Sequence, residues 1–409
     1  MFPLGLSSLK RALSGHEVSV IDLNLHKEEP FKALQEHIAA FKPETIGISL
    51  RNIDSTNKRN IVFYYKHLRE TMRTIKSCSG AKVVIGGSGF SMFAREIMED
   101  ERDIDLGVFL EGETAFPLLL ENLSTPERVP SVFYRKNGEV LFSGSGRQVD
   151  VSEIDYPDRD GMSIGKYSAL PDSVGVETKR GCGLNCIYCI YGFLNGKKIR
   201  LKDPVKIVDE IENLVKIHRV TRFTFVDSVF NLPQKHAEDI CRELLNRALN
   251  VQWSAWFNEK NLTRDFVTLA LDAGCKNIIL SPDGFSDGVL KNLGKNITKQ
   301  DVLNSYELLK DMDGFEISYN FFKNPPGQDL GTFAAMMRFY LTAKGQMGRR
   351  VHFEFNSMRI EPHTKLYDTA LREGLVKDGE NLLYPKYYTN SKTKYIESIF
   401  NVLLRLKGM

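Results

Sequence analysis

The sequence lacks the features of several protein classes. Its 409 residues hold only six cysteines, which is too few for a disulfide framework in a chain of this length. No apolar run is long enough to cross a bilayer, and the N-terminus lacks the basic-then-apolar pattern of a signal peptide. The net charge of +3 gives no sign of a nucleic-acid partner. We therefore expect a cytoplasmic protein with no transmembrane segment.

Strand and helix patterns alternate through residues 1–123. An apolar run of strand length is followed each time by helical spacing, as from Pro30 to Phe41. This alternation predicts an α/β domain with a doubly wound parallel sheet, Rossmann-like and of the flavodoxin type. Ligands on such sheets bind beyond the carboxyl ends of the strands. The predicted strands lie at 18–21, 45–50, 82–85 and 106–110.

Residues 124–173 are rich in turn signals. Two short apolar runs, 132–134 and 140–142, flank Asn137-Gly138, which is a hairpin signal. We interpret this segment as a linker with a small hairpin.

Strand–helix alternation resumes over residues 174–374. Six such units predict a partial (β/α)6 barrel of the TIM type, with its active site at the carboxyl ends of the strands. Residues 375–409 are predicted to form a C-terminal extension with a helical tail. The apolar stripe of that helix is expected to dock on the barrel rather than on a membrane. The stripe comprises Ile396, Ile399, Phe400, Leu403 and Leu404. The predicted barrel strands are 174–178, 222–226, 251–255, 277–280, 315–320 and 352–355.

Three cysteines lie within eight residues, directly after a predicted strand. Cys182, Cys186 and Cys189 can hold three irons of a [4Fe–4S] cubane and leave the fourth iron open. That open iron can bind S-adenosylmethionine (SAM) through its amino and carboxylate groups. The alternative, structural zinc, needs four ligands, and His218 and His236 are expected on helix surfaces. The remaining cysteines, Cys78, Cys241 and Cys275, are expected in hydrophobic cores.

This cysteine motif resembles the one that defines the radical SAM superfamily. Further resemblances lie at 225–230, at Ser281-Pro282-Asp283-Gly284, at 324–328 and at 359–364. The resemblance implies that Tyr188 reads the adenine edge and that Asp283 occupies a carboxylate position. The usual Gly-Gly-Glu segment that grips the SAM amino group is absent. From their places at strand ends, we predict SAM or substrate contacts for Asp227, Asn258 and Asp283.

Several segments of the first 123 residues resemble the cobalamin-binding domain of radical SAM enzymes. They are residues 2–6, 15–18, Ile85-Gly86-Gly87-Ser88 and Glu111-Gly112-Glu113. Glycines at a strand end let the backbone approach a ligand closely. The resemblance implies cobalamin as a third cofactor. The predicted cleft is lined by Ser49, Arg51, Gly86, Gly87, Ser88, Glu111 and Gly112.

No Asp-x-His-x-x-Gly motif occurs in this domain, so we predict cobalamin without a histidine ligand to cobalt. His26 is interpreted as a loop residue. The segment holding Arg51 resembles that of a tryptophan C-methyltransferase in this family, in which an arginine occupies the lower face of the corrinoid. Alternatively, Arg51 pairs with Asp54 or with a phosphate of the corrinoid tail.

Family members usually have a strand before the segment that begins here at Phe2. We therefore expect the innermost strand of the sheet to be missing. Either the start of the sequence is assigned too late, or the cobalamin-binding domain is compromised. Without it the chain is expected to bind cobalamin poorly.

The resemblance implies a cobalamin-dependent radical SAM methyltransferase. It would act on a carbon or phosphorus of a small-molecule, lipid or natural-product substrate, through methylcobalamin and a 5′-deoxyadenosyl radical. An electron donor such as flavodoxin or ferredoxin is a further expected partner. Two alternatives remain: a rearrangement, cyclisation or reduction with the same cofactors, or a sensor without turnover. The sequence singles out no acid, base or hydrogen donor.

Overall fold

The computed structural model describes residues 1–170, 172–260 and 262–406, with side chains through residue 402. The chain divides into two compact units. The first comprises residues Phe2–Lys166 together with Asn381–Pro385. The second comprises Tyr167–Glu380 and the chain from Lys386 onward. Within the described ranges, no helix combines the length and apolar character needed to cross a membrane.

The first unit is a five-stranded sheet with helices. Strands β1, β2 and β3 are parallel, and β4 and β5 are antiparallel, in the spatial order β1-β2-β3-β4-β5. Two short 3₁₀ helices lie at Leu23–Leu25 and Pro126–Arg128. In chain order the elements are α1 (Leu4–Ala12), α2 (Pro30–Phe41), β1 (Thr45–Ser49), α3 (Tyr65–Cys78), β2 (Lys82–Gly86), α4 (Ser88–Met92), α5 (Ala94–Asp100), β3 (Leu106–Val108), α6 (Gly112–Glu121), β4 (Val132–Lys136) and β5 (Glu139–Phe142).

Two predictions for this unit are wrong. Residues 18–21 form no strand, because a strand needs a hydrogen-bonded neighbour and this segment has none in the described sheet. The hairpin interpreted as part of a linker is instead the continuation of the sheet, through the pairing of Gly107 with Phe133. Val129 and Val132 are buried against Val84 of β2. Burial of these apolar side chains explains why the hairpin belongs to the first unit.

The second unit contains six parallel strands in the order β13-β12-β11-β10-β9-β6. This confirms the predicted partial barrel. Two-stranded antiparallel pairs form between β7 and β8 and between β14 and β15, and a 3₁₀ helix lies at Gly348–Arg350. The elements are α7 (Gly165–Ser168, which begins in the first unit), β6 (Gly175–Val176), β7 (Lys179–Arg180), α8 (Tyr191–Leu194), β8 (Arg200–Leu201), α9 (Pro204–Lys216), β9 (Arg222–Phe225), α10 (Gln234–Asn246), β10 (Gln252–Phe257), α11 (Arg264–Asp272), β11 (Cys275–Asp283), α12 (Asp287–Asn292), α13 (Lys299–Lys310), β12 (Glu316–Phe322), α14 (Leu330–Met347), β13 (Val351–Asn356), β14 (Met358–Arg359), α15 (Lys365–Arg372), β15 (Tyr387–Tyr388) and α16 (Lys394–Leu406).

Side chains alternate across the barrel strands as a pleated sheet requires. On β12, Tyr319 and Phe321 pack against Phe339 of α14. Ser318 and Asn320, which alternate with these two residues along the strand, lie on the opposite face and are half-buried. One face of the sheet therefore carries an apolar core, and the other carries polar groups.

Helix α16 docks on the barrel as predicted. Its Phe400 is buried and contacts Phe333 of α14 and Phe355 of β13. The side chains of Leu403 and Leu404 lie outside the described residues.

Two expectations about single residues are wrong. Cys78 is exposed at the end of α3. His236 is buried on α10, with its Nε2 atom 2.8 Å from the Lys202 carbonyl oxygen, and burial lowers its pKa.

Candidate functional site

The cysteine loop, residues 181–189, begins directly after β7 and is held by three other segments. Gly181 starts the loop at φ +93°, and a Cβ there would lie 2.1 Å from the Lys198 carbonyl oxygen. The Cys182 amide donates to the Gly196 carbonyl at 3.0 Å. The Ile187 amide donates to Leu293, and the Ile187 carbonyl accepts from Leu366. Backbone hydrogen bonds to these segments therefore fix the path of the loop.

The three thiols of the loop suit a cluster. Cys182, Cys186 and Cys189 are free of disulfides and only partly exposed. Burial raises the pKa of Cys186, and it raises that of Cys189 to about 11. Bound iron would reverse this preference, since metal ligation favours the thiolate. Within the described ranges no three His, Cys, Asp or Glu side chains converge on a single metal ion. A cubane gives each thiolate its own iron, so it does not need that convergence.

Asp227 lies at the carboxyl end of β9 and connects it to the start of the cysteine loop. Its carboxylate accepts from the Thr178 amide at 2.9 Å, the Lys179 amide at 3.3 Å and the Thr178 hydroxyl. The Lys179 ammonium lies 3.6 Å away and also donates to the Phe230 carbonyl oxygen at 2.7 Å. The carboxylate thus fixes the segment that leads into the loop.

Asp283 ends β11 and lies against the cysteine loop. It accepts hydrogen bonds from the Tyr188 hydroxyl and, at 2.7 Å, from the Lys295 ammonium. Lys295 also donates to the Ser281 carbonyl oxygen at 2.5 Å. Burial disfavours the charged form of Lys295, but the Asp283 carboxylate and the Cys186 thiol outweigh burial and raise its pKa. Tyr188 also packs edge-on against Phe322, with ring centroids 4.7 Å apart.

Asn258 follows β10 and organises the next loop. Its backbone exchanges two hydrogen bonds with the Asn231 side chain, at 2.8 and 3.0 Å. The side-chain nitrogen Nδ2 of Asn258 donates to the side-chain oxygen of Asn296 at 3.0 Å. The predicted residues Asp283 and Tyr188 are thus in direct contact. Asn258 is linked to the Asp283 contact through its hydrogen bond to Asn296, the residue after Lys295. Asp227 instead lies on the β9 side of the loop and bonds Thr178 and Lys179.

Two charged residues near Asp283, Lys295 and Glu259, were not predicted from the sequence. Glu259 is buried after β10, and its Oε1 atom has no hydrogen-bond partner among the residues that the structure describes. Burial raises the pKa of Glu259 to about 7, and the Lys295 charge acts in the opposite direction. Neither residue belongs to a recognisable motif. The only signal was the position of Glu259 beside Asn258, just past a predicted strand.

Glu259→Gln is expected to remove a pH-dependent loss of stability. Because the folded-state pKa of Glu259 lies above its ordinary value of 4.5, the folded protein holds this proton more tightly than the unfolded chain. Its contribution to stability is therefore lost as the pH rises from about 4.5 to about 7. Relative to the unaltered protein, the variant should gain on the order of 3 kcal/mol between about pH 4 and about pH 8. Denaturant unfolding over this range checks the prediction, with Glu36→Gln, an exposed site on α2, as control. A pH-independent difference between the variant and the unaltered protein would contradict it.

The predicted cobalamin residues lie at one edge of the first unit. Ser49 pairs with Gly86 at the ends of β1 and β2, and Ser88 begins α4 with its hydroxyl 2.9 Å from the Arg51 carbonyl oxygen. Glu111 and Gly112 follow β3, where Glu111 accepts from the Val149 amide at 2.8 Å. Because these strands are parallel, their carboxyl ends share an edge.

Arg51 is exposed at this edge. The Asp54 carboxylate accepts from the Thr56 amide at 2.7 Å. The alternative role of Arg51, as a partner of Asp54 or of a phosphate of the corrinoid tail, stays a prediction.

Gly87→Ala is expected to damage the cobalamin edge. Gly87 has φ +99°, and a Cβ there would lie 2.7 Å from the Leu50 carbonyl oxygen, so the strand end must shift. We expect a loss of about 1–3 kcal/mol in stability and reduced retention of added cobalamin after gel filtration. Gly144→Ala is the matched control, because Gly144 has φ +96° but open space around it. Equal retention by the two variants would argue against the assignment.

Comparison with known proteins agrees with this geometry. Residues 1–120 match the B12 binding domain, and residues 176–340 match the radical SAM superfamily. An uncharacterized methyltransferase of Pyrococcus horikoshii is 24% identical over 91% of this chain and 79% of its own length. An anaerobic magnesium-protoporphyrin IX monomethyl ester cyclase of Rubrivivax gelatinosus is 32% identical over 56% of this chain, which spans 43% of that cyclase.

A solved structure shares the fold of the described chain. The radical SAM methyltransferase TsrM of Kitasatospora setae, with tryptophan and a SAM analogue bound, superposes with a TM-score of 0.81. The match covers 91% of this chain and 74% of TsrM at 21% identity. The chain, with its two family domains, therefore belongs to the cobalamin-dependent radical SAM enzymes, whose cofactors are cobalamin, SAM and a [4Fe–4S] cluster.

Proposed function

We propose that this enzyme transfers a methyl group to a carbon or phosphorus centre of a small-molecule, lipid or natural-product substrate. The observation that carries the proposal is the presence of both cofactor domains in a chain similar along most of its length to an uncharacterized methyltransferase. When bound, cobalamin supplies a carrier for the methyl group, and the cluster with SAM supplies one-electron cleavage of a sulfonium.

The residues around the cysteine loop hold the SAM site in this proposal. Cys182, Cys186 and Cys189 ligate the cluster, and the Tyr188–Asp283–Lys295 contact lies beside them. The buried ammonium of Lys295 offers a positive charge for the carboxylate of SAM. Asp227 and Asn258 have their polar atoms engaged by protein groups, which supports a role in positioning the strand ends. A direct contact of either residue with SAM or substrate stays a prediction.

The cobalamin site is proposed at the edge formed by Ser49, Arg51, Gly86–Ser88 and Glu111–Gly112. Arg51 is exposed and has no carboxylate partner among the described residues, which supports a position of its guanidinium under the corrinoid. A guanidinium there cannot ligate cobalt. We therefore expect bound cobalamin to be base-off with no imidazole ligand. Electron paramagnetic resonance of the cobalt(II) form tests this expectation. Nitrogen superhyperfine splitting would contradict it.

The proposed partners follow from the chemistry. The cluster requires one electron for each sulfonium cleaved, and a flavodoxin or ferredoxin in the cytoplasm is the proposed source. The absence of nucleic acid from the reaction is also a proposal, based on the near-neutral charge balance.

The products of reconstituted protein test the function. Protein loaded with the cluster and cobalamin is incubated with SAM carrying a labelled methyl group, reductant and a metabolite extract. Methyl transfer predicts S-adenosylhomocysteine together with a labelled product found by mass spectrometry. The labelled product should be absent when the Cys189→Ala variant replaces the unaltered protein. Formation of 5′-deoxyadenosine without S-adenosylhomocysteine would overturn the proposal.

A second candidate function is a radical cyclisation, rearrangement or reduction that uses the same cofactors. The match to the magnesium-protoporphyrin ester cyclase favours it. This candidate predicts that SAM is converted to methionine and 5′-deoxyadenosine, without S-adenosylhomocysteine. A sensor without turnover predicts neither product.

A further inference from the structure

Four exposed lysines lie on the segments that hold the cysteine loop. Lys197, Lys198, Lys291 and Lys365 are exposed, and we name them the loop-rim lysines. They come from the three segments that bind the loop backbone through Gly196, Leu293 and Leu366. Lys197 also donates to the Leu184 carbonyl oxygen of the loop at 2.6 Å. The four positive charges therefore lie on the segments that hold the loop, and that of Lys197 contacts the loop itself.

The loop-rim lysines are not neutralised by the protein. Within the described part of the chain, none of the four has an ion pair. The neighbouring Glu361 is engaged by Arg359. Two exposed carboxylates lie one turn from lysines of the rim, Asp287 from Lys291 on α12 and Asp368 from Lys365 on α15. In a chain with a net charge of only +3, this concentration of unpaired charge is a local feature of the loop surface.

The same surface leaves the loop accessible. Gly183 and Asn185 are exposed within the loop, and Tyr191, two residues after Cys189, is 50% exposed. An exposed aromatic ring within a rim of charge is typical of a protein–protein contact. A partner protein that docks on this surface comes closer to the cluster than a partner that docks on another face of the barrel, where the strands separate it from the loop.

We propose that the loop-rim lysines are the docking surface for an acidic one-electron carrier protein of the flavodoxin type. This inference rests on the electron donor of the proposed function. Opposite charges steer such encounters and raise the association rate. In the step itself one electron leaves the reduced flavin, which is oxidised, and enters the cluster, which is reduced. No covalent bond forms or breaks.

The test measures cluster reduction by stopped-flow absorbance, without SAM or substrate, so its outcome is independent of methyl transfer. With a reduced flavodoxin at low salt, Lys198→Glu/Lys291→Glu/Lys365→Glu should reduce the rate about tenfold or more. Lys197 is left unchanged because it bonds the loop. Reduction by dithionite, which needs no docking, should be unchanged. Calorimetric binding of oxidised flavodoxin should weaken in parallel.

The matched control is Arg222→Glu/Lys276→Glu/Arg349→Glu. These exposed residues lie at the amino ends of β9, β11 and β13, the end of the barrel away from the loop. The control should keep the rate of the unaltered protein. That rate should itself fall as salt screens the charges. A flat salt profile of the unaltered protein would overturn the proposal, and so would an equal loss in both variants.

Discussion

Replacing Cys182, Cys186 or Cys189 by alanine is expected to abolish the brown chromophore of anaerobically reconstituted protein. Each thiol is the ligand of its own iron in the proposed cluster, and no other cysteine of the described chain lies in the loop. Loss of one ligand leaves a cluster with two protein thiolates, which is not retained. Iron and sulfide analysis, together with the visible spectrum, measures the effect for each variant.

Cys78→Ala is the control for these variants, because Cys78 is free and exposed on α3 of the other unit. It should reconstitute to the level of the unaltered protein. A protein that instead binds zinc stoichiometrically through the loop would show that the cluster assignment is wrong.

Replacing Asp283 is expected to have the second large effect, on both SAM affinity and stability. The Asp283 and Lys295 side chains are 7% and 8% exposed and 2.7 Å apart, so removal of the carboxylate leaves a buried ammonium unpaired. Breaking such a pair costs about 3–5 kcal/mol. We expect SAM affinity to fall at least about tenfold, because Lys295 and Tyr188 lose the partner that fixes them beside the cluster. Calorimetric titration with SAM and denaturant unfolding measure the two effects.

Three variants separate the causes. Asp283→Ala adds backbone strain because residue 283 has φ +66°, whereas Asp283→Asn keeps the shape and tolerates that conformation. Asp283→Asn/Lys295→Met removes both charges and should recover much of the stability while SAM binding stays weak. Unchanged SAM affinity in Asp283→Asn, at equal iron content, would remove Asp283 from the site.

The barrel was predictable from the sequence because each of its strands is an apolar run followed by a helix. The strands at 222–226 and 315–320, for example, lie within one or two residues of β9 and β12 as the structure has them. That residues 18–21 form no strand was not predictable in this way. Strand formation depends on a neighbour that accepts its hydrogen bonds, and the pattern of a segment does not report whether that neighbour exists.

The candidate site was only partly predictable. Asp283 and Tyr188 were identified from a motif, but their hydrogen bond joins residues 95 positions apart. Lys295 and Glu259 carried no motif, and their importance follows from burial and from the charges around them.

The sequence by itself determined the cofactor class and the barrel. The spacing of Cys182, Cys186 and Cys189 fits a cluster with an open iron, and alternating apolar runs specify parallel strands. Only the tertiary structure decided which groups meet at the loop. It placed the Lys295 ammonium beside Asp283 and joined the hairpin at 132–142 to the first sheet. It also buried Glu259, whose Oε1 atom has no hydrogen-bond partner in the described part of the chain. The physical reason is that ligand spacing and periodicity are local properties of a chain. Burial, ion pairing and strand pairing depend on segments that only folding brings together.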